Sequence, residues 1–186
     1  MRALSFDTKL PYWRLSFFYL AYFGFLGAWV PYWTLYLSDS LRFNANEIGV
    51  VMGISMATRI VGPYVWGMLA DQSRQRLRII RIGALCSLIF FLGLWLSEDF
   101  VWVCSVVALY SLFWNAILSQ FEALTIEHLD IHSHWYSYIR VWGSIGFIVI
   151  VLAVGYFLDQ SENDHIFLAI LSTLMLLIFC LDLMAI

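Results

Sequence analysis

Gly67-Met68-Leu69-Ala70-Asp71-Gln72-Ser73-Arg74-Gln75-Arg76-Leu77-Arg78 starts at the end of one long apolar run, Ile48–Leu69, and stops at the start of another, Ile79–Leu96. Each run is close to the roughly 20 residues that a helix needs to cross a bilayer's hydrocarbon. The island between them carries Asp71 and, with Arg81 just beyond it, four arginines. Such a segment reads as a tight turn on the cytoplasmic face, where basic residues accumulate.

Four further runs of similar length lie outward from this turn: Leu15–Leu37, Phe100–Leu124, Val141–Leu158 and Ile166–Met184. The chain is 62% hydrophobic and only 12% charged, too little charge to clothe a soluble domain. The runs are continuous and do not alternate with period two, so the spans are helices, not strands of a barrel. The expected fold is an all-α, multi-pass membrane protein of six transmembrane helices within one domain, residues 1–186. Arg2, Lys9 and Arg14 precede the first run and share a side with the Arg74–Arg81 cluster. The opposite loops hold Arg42 among Asp39, Glu47, Glu98, Asp99, Asp159, Glu162 and Asp164. Both termini are therefore expected to be cytoplasmic. Asp7 and Lys9 interrupt any cleavable signal pattern.

Three charges within or at the edge of the runs stand out. Arg59 is near the middle of the second, Glu122 late in the fourth and Arg140 early in the fifth. An ionised side chain at the membrane centre costs about 2.5–3.5 kcal/mol on insertion scales, so it usually faces a partner or a watery cavity. Ser111, Asn115, Ser119 and Glu122 recur at helical spacing on one face of the fourth run, and Arg140, Ser144 and Phe147 on one face of the fifth. Antiparallel neighbours could bring Glu122 and Arg140 together, or both could snorkel to the near interface. Arg59 is too deep to snorkel. It is expected to face the bundle interior, where it could meet a substrate carboxylate, pair with Glu122 or lock helices together.

Tyr22, Trp29, Trp33 and Tyr36 form an aromatic stripe on the first run, which serves either packing or an aromatic-binding cavity. Gly24 with Ala28, and Gly49 with Gly53, have the spacing that lets membrane helices approach closely. Pro31 and Pro63 could kink their helices. Cys86, Cys104 and Cys180 suit neither a disulfide framework nor a zinc site. His128, His132 and His134, with Glu127 and Asp130, make one short cluster without a second to complete a metal ligand set, so a solvated loop is expected there. No cofactor, metal, nucleic-acid partner or catalytic constellation is expected.

The Gly67–Arg78 stretch resembles the signature of the major facilitator superfamily: Gly, three residues, Asp, then a basic cluster, here Gly67, Asp71 and Arg76. Gln72 stands where that family usually carries a basic residue, and Arg74 where glycine is usual. Phe121-Glu122-Ala123 followed by Arg140-Val141-Trp142-Gly143-Ser144-Ile145-Gly146-Phe147 is similar to the lactose permease type, in which a Glu and an Arg at this interval face a sugar cavity. In that type a tryptophan stacks on the sugar at the position that Phe147 fills. Leu26–Leu37 with Pro31 and Trp33, Ile48-Gly49, Gly53, Arg59 and Gly62 bring the chain nearer still to the 3-phenylpropionate permease type. The resemblance covers nearly the whole chain and only the N-terminal half of such a transporter, a 3+3 inverted repeat.

It implies a secondary active transporter of the bacterial inner membrane, working by alternating access. Proton symport of an aromatic acid or a sugar is implied, with Arg59, Asn115, Glu122, Arg140 and Phe147 contacting substrate. The partner would be a C-terminal six-helix half or a second half-transporter. The competing reading is a truncated or accessory membrane protein that does not transport.

Overall fold

The structure, a computed structural model, describes residues 12–129, 135–160 and 166–184. Arg2 and Lys9, the loop residues Asp130, His132 and His134, and Glu162 and Asp164 lie outside the described residues, as do the side chains of His128 and Asp182. The described residues form six α-helices: α1 Tyr12–Asp39, α2 Ala45–Ser73, α3 Arg76–Leu92, α4 Phe100–Leu129, α5 Trp135–Gln160 and α6 Ile166–Met184. A 3-10 turn, Gly93–Trp95, extends α3. The first five are long and apolar enough to cross a membrane, whereas α6 is apolar but shorter over Ile166–Leu181.

Local chemistry sets several ends. Asn44 caps α2, its side chain accepting from the backbone N–H of Asn46 and Glu47 at 3.0 and 3.1 Å while Glu47 accepts from Asn44 N–H at 2.9 Å. The Asp99 carboxylate accepts from the N–H of Val101 and Trp102 at 3.0 and 3.2 Å at the start of α4. Helices α4 and α5 run past their apolar cores, to Leu129 and back to Trp135. The stretch between the fourth and fifth apolar runs is thereby helical over 125–129 and 135–140. Hydropathy marks what crosses hydrocarbon, and helical hydrogen bonding continues into the polar interface.

Short connections force an up-and-down path, and the residue pairs confirm the directions. Gly24 lies against Gly146 and Ile150, and Tyr32 donates to the Val151 carbonyl at 2.9 Å, so α1 and α5 run parallel. Thr58 meets Ser111 and Gly62 meets Asn115, so α2 and α4 run parallel. Arg76 meets Gln120 and Gly93 meets Val106, so α3 and α4 are antiparallel. The main packing pairs are α1 on α5, α4 on α2, α3 on α4 and α6 on α1, with α3 against α6. Exchanging α1–α3 for α4–α6 maps this set onto itself. Because α1 and α4 run in opposite directions, the two three-helix units are related by inversion.

Two kinds of interface hold the bundle. At the first, missing side chains let backbones touch: a Cβ on Gly27 would lie 2.6 Å from the Phe147 carbonyl oxygen, and one on Gly146 would collide with the Leu20 carbonyl. Lipid tails are as apolar as leucine, so such close packing is what drives association in a bilayer. At the second, α1 and α4 are spaced by rings. Phe18 stacks on Phe121 with centroids 3.5 Å apart, Tyr22 on Trp114 at 4.5 Å, and Trp29 meets Tyr110 at 5.1 Å. Trp29, Trp33 and Tyr36 are buried in this column. The aromatic stripe is therefore mainly packing.

The close contacts expected at Gly49 and Gly53 are not made within this chain, and Gly67 is also open: no atom lies within 4 Å of a Cβ built at any of the three. Helix α2 packs on α4 through Gly62, and at 3.6 residues per turn these glycines lie far around the helix from it. Replacing Gly146 with alanine should destabilise the chain by about 1–3 kcal/mol through overpacking, and replacing Gly49 should not. Thermal unfolding in detergent checks this, and equal midpoints for the two variants would contradict the packing described.

Candidate functional site

Arg59, Asn115, Glu122 and Phe147 line one open cavity of about 500 Å³. Four helices supply its walls: Tyr22 and Phe23 from α1, Arg59 and Pro63 from α2, Trp114 through Glu122 from α4, and Phe147 from α5. Arg140 is not on the cavity wall. Its Nε lies 3.7 Å from Glu122 Oε1, so it acts on the cavity through that carboxylate.

Arg140 is held from behind by aromatic faces. Its guanidinium sits 3.9 Å from the Phe23 ring centroid and 5.5 Å from that of Tyr19, which suits a cation on the negative face of a π system. Gly143 makes room, since a Cβ there would come within 2.9 Å of the Phe23 ring and 3.1 Å of Arg140 Nη1. Nothing in the spacing of the chain pointed to Phe23, because the proximity of α1 to α5 is tertiary. Ser144 is exposed and lies off the cavity.

The polar face of α4 divides. Ser111 turns to α2, where its hydroxyl meets that of Thr58 at 2.7 Å. Asn115 Nδ2 donates to the Ser111 carbonyl at 2.7 Å, and Ser119 Oγ donates to the carbonyls of Asn115 and Ala116 at 3.3 Å each. Arg59 is exposed on the cavity side of α2, not enclosed by helices. The alternative in which it pairs with Glu122 is not realised, because Glu122 faces Arg140. Pro63 lacks an N–H and so leaves the Arg59 carbonyl, four residues earlier, without its helical donor.

A second cluster forms at the α2–α3 turn. Arg76 Nη2 bonds Asp71 Oδ1 at 2.9 Å, and its Nη1 reaches Gln120 Oε1 at 3.2 Å, tying the ends of α2, α3 and α4. The ion pair is exposed and weak by itself. Gln120 is 3% exposed, so losing its Arg76 partner would strand a buried polar group. Gly67 and Asp71 face an open recess of about 640 Å³. Cys86, Cys104 and Cys180 are free, and among the described residues no three His, Cys, Asp or Glu groups could hold a metal ion.

The MFS_1 like family profile matches residues 12–186. The chain belongs to that family. It is an integral, multi-pass membrane protein. It is 28% identical to the maltose permease of Geobacillus stearothermophilus over 153 residues, 82% of this chain and 39% of that protein. It is 23% identical to the probable 3-phenylpropionic acid transporter of Escherichia coli (strain K12) over 135 residues, 73% of this chain and 35% of that protein. The chain thus spans well under half the length of these relatives. The nucleoside transporter NupG shares the fold, with a TM-score of 0.84 at 20% identity over 95% of this chain and 44% of that one.

Arg74, which departs from the family's usual glycine, has φ 52° and ψ 28°, in the left-handed region, where it ends α2 with its N–H on the Ala70 carbonyl. A side chain costs about 1 kcal/mol there that glycine does not. Arg74→Gly should therefore raise the thermal midpoint by the equivalent of up to about 1 kcal/mol. A lowered midpoint would mean that the arginine side chain contributes more than its backbone strain costs.

Proposed function

We propose that this chain forms one half of a secondary active transporter for a small organic solute, set in the bacterial inner membrane with both termini cytoplasmic. The observation that carries this is the convergence of Arg59, Asn115, Glu122 and Phe147 on one cavity, with Arg140 ion-paired to Glu122. Its volume lies in the range typical of small-molecule sites, roughly 300–1,000 Å³. Inverted three-helix units with a site between them suit alternating access. A second six-helix unit supplies the opposite wall. The exposed apolar faces of α2 and α5, including Ile60, Tyr64, Ile148 and Leu152, are available to lipid and to that unit.

The solute is an aromatic acid or a sugar, the two kinds named for its permease relatives, and it moves together with a proton. The Glu122–Arg140 pair orients it by charge-assisted hydrogen bonds. The Asp71–Arg76–Gln120 tie holds the cytoplasmic ends of α2–α4 together in one of the two alternating states.

Uptake of labelled 3-phenylpropionate and maltose by cells expressing the complete reading frame tests this. One of them should accumulate, and a protonophore should collapse the accumulation. Glu122→Gln and Arg140→Gln should each lower uptake at least about tenfold, the loss expected for a charge-assisted contact worth about 1.4 kcal/mol or more. Undiminished uptake in both variants would remove the pair from the pathway.

A further inference from the structure

We infer that the cavity selects an organic anion, a monocarboxylate carrying an apolar or aromatic group, and that Arg59 is the residue that receives the carboxylate. This deepens the transport reading and rests on it.

The cavity and its immediate support contain three ionised groups, and two neutralise each other: Glu122 and Arg140 lie 3.7 Å apart. Among the described residues no carboxylate pairs with Arg59. The site therefore carries one net positive charge, located at Arg59.

Depth makes that charge consequential. Arg59 stands 14 residues from Ala45 and 14 from Ser73, the two ends of α2. At 1.5 Å per residue that is about 21 Å either way, beyond the reach of a snorkelling side chain. Its guanidinium can be solvated only through the cavity it lines. An unneutralised charge at this depth favours an anion more than it would in open water, because the surroundings screen less.

Hydrogen-bonding capacity then discriminates between solutes. A sugar needs many free donors and acceptors. Here Asn115 Nδ2 and the Ser119 hydroxyl donate to the backbone of their own helix, which leaves Arg59 as the strong donor of the wall. Glu122 is charge-neutralised by Arg140 at 3.7 Å and can only accept, so it offers a carboxylate no contact. Around them the wall is Tyr22, Trp114, Leu118 and Phe147, and Tyr22 stacks flat on Trp114 at an interplanar angle of 9°. One strong cationic contact amid rings and aliphatic groups matches a carboxylate with an apolar body. A guanidinium can hold it with two parallel N–H···O bonds.

The test compares 3-phenylpropionate with its neutral isostere 3-phenylpropanamide, and with maltose, for binding to the purified product of the complete reading frame in nanodiscs. The acid should bind at least tenfold more tightly than the amide. Arg59→Gln should abolish that preference, Arg59→Lys should retain part of it, and both variants should unfold at the parent's temperature. Equal binding of acid and amide would overturn the inference, and would mean that the protein itself supplies the counter-charge for Arg59. Binding of maltose alone, or of none of the three, would overturn it as well. Cellular uptake of maltose with no binding preference for the acid would discard anion selection and leave the transport reading standing. Absence of uptake for every solute, with the acid preference intact, would do the reverse.

Discussion

The stacked rings of Phe18 and Phe121, 3.5 Å between centroids, begin an aromatic column that sets the separation of α1 and α4. Tyr22 on Trp114 and Trp29 against Tyr110 continue it. Elsewhere the bundle closes on glycine, as where Gly27 meets the Phe147 backbone and Gly83 meets Phe113 and Ala116. The contrast has a structural consequence. Glycine contacts draw α5 onto α1 and α2 onto α4, while the rings keep α1 and α4 apart. The space left among α1, α2, α4 and α5 is the cavity.

A bilayer gives charge few places to go, and the charged groups of the cavity and of the α2–α3 turn are accommodated in different ways. Glu122 and Arg140 sit toward one end of their helices and neutralise each other, with Phe23 and Tyr19 backing the guanidinium. Asp71 and Arg76 pair at the surface, and Arg76 also reaches Gln120. Arg59 has neither solution, and the cavity is what makes its position tolerable. Its neighbour Thr58 fixes the rotation of α2 by meeting Ser111, which presents Arg59 to the cavity and not to lipid.

The helices were largely legible because a membrane segment must be apolar over a fixed length, a requirement that α1–α5 meet in full and α6 over a shorter described stretch. Their ends were less so: α4 continues through Glu127 to Leu129 because helix hydrogen bonds do not stop where hydrocarbon does. The polar face of Asn115, Ser119 and Glu122 followed from spacing alone. The meeting of Glu122 with Arg140 was one of several readings, decided only by how α1, α4 and α5 pack. Small-residue spacing misled at Gly49 and Gly53, which carry the same pattern as Gly24 and Ala28 but face away from the bundle. The pattern shows where a helix could approach, and the rotation of α2, set by Gly62 on Asn115, shows where it does.

The central claim is that the cavity beside Arg59 is open to water at mid-membrane. A spin label at Ser119, in a background with Cys86, Cys104 and Cys180 replaced by serine, tests it most directly against one at Ile60, which is 78% exposed on the outer side of α2. The account predicts that a water-soluble nickel relaxation agent reaches the label at 119 more readily than oxygen does, and that the order is reversed at 60. Lipid-like accessibility at both positions would contradict it.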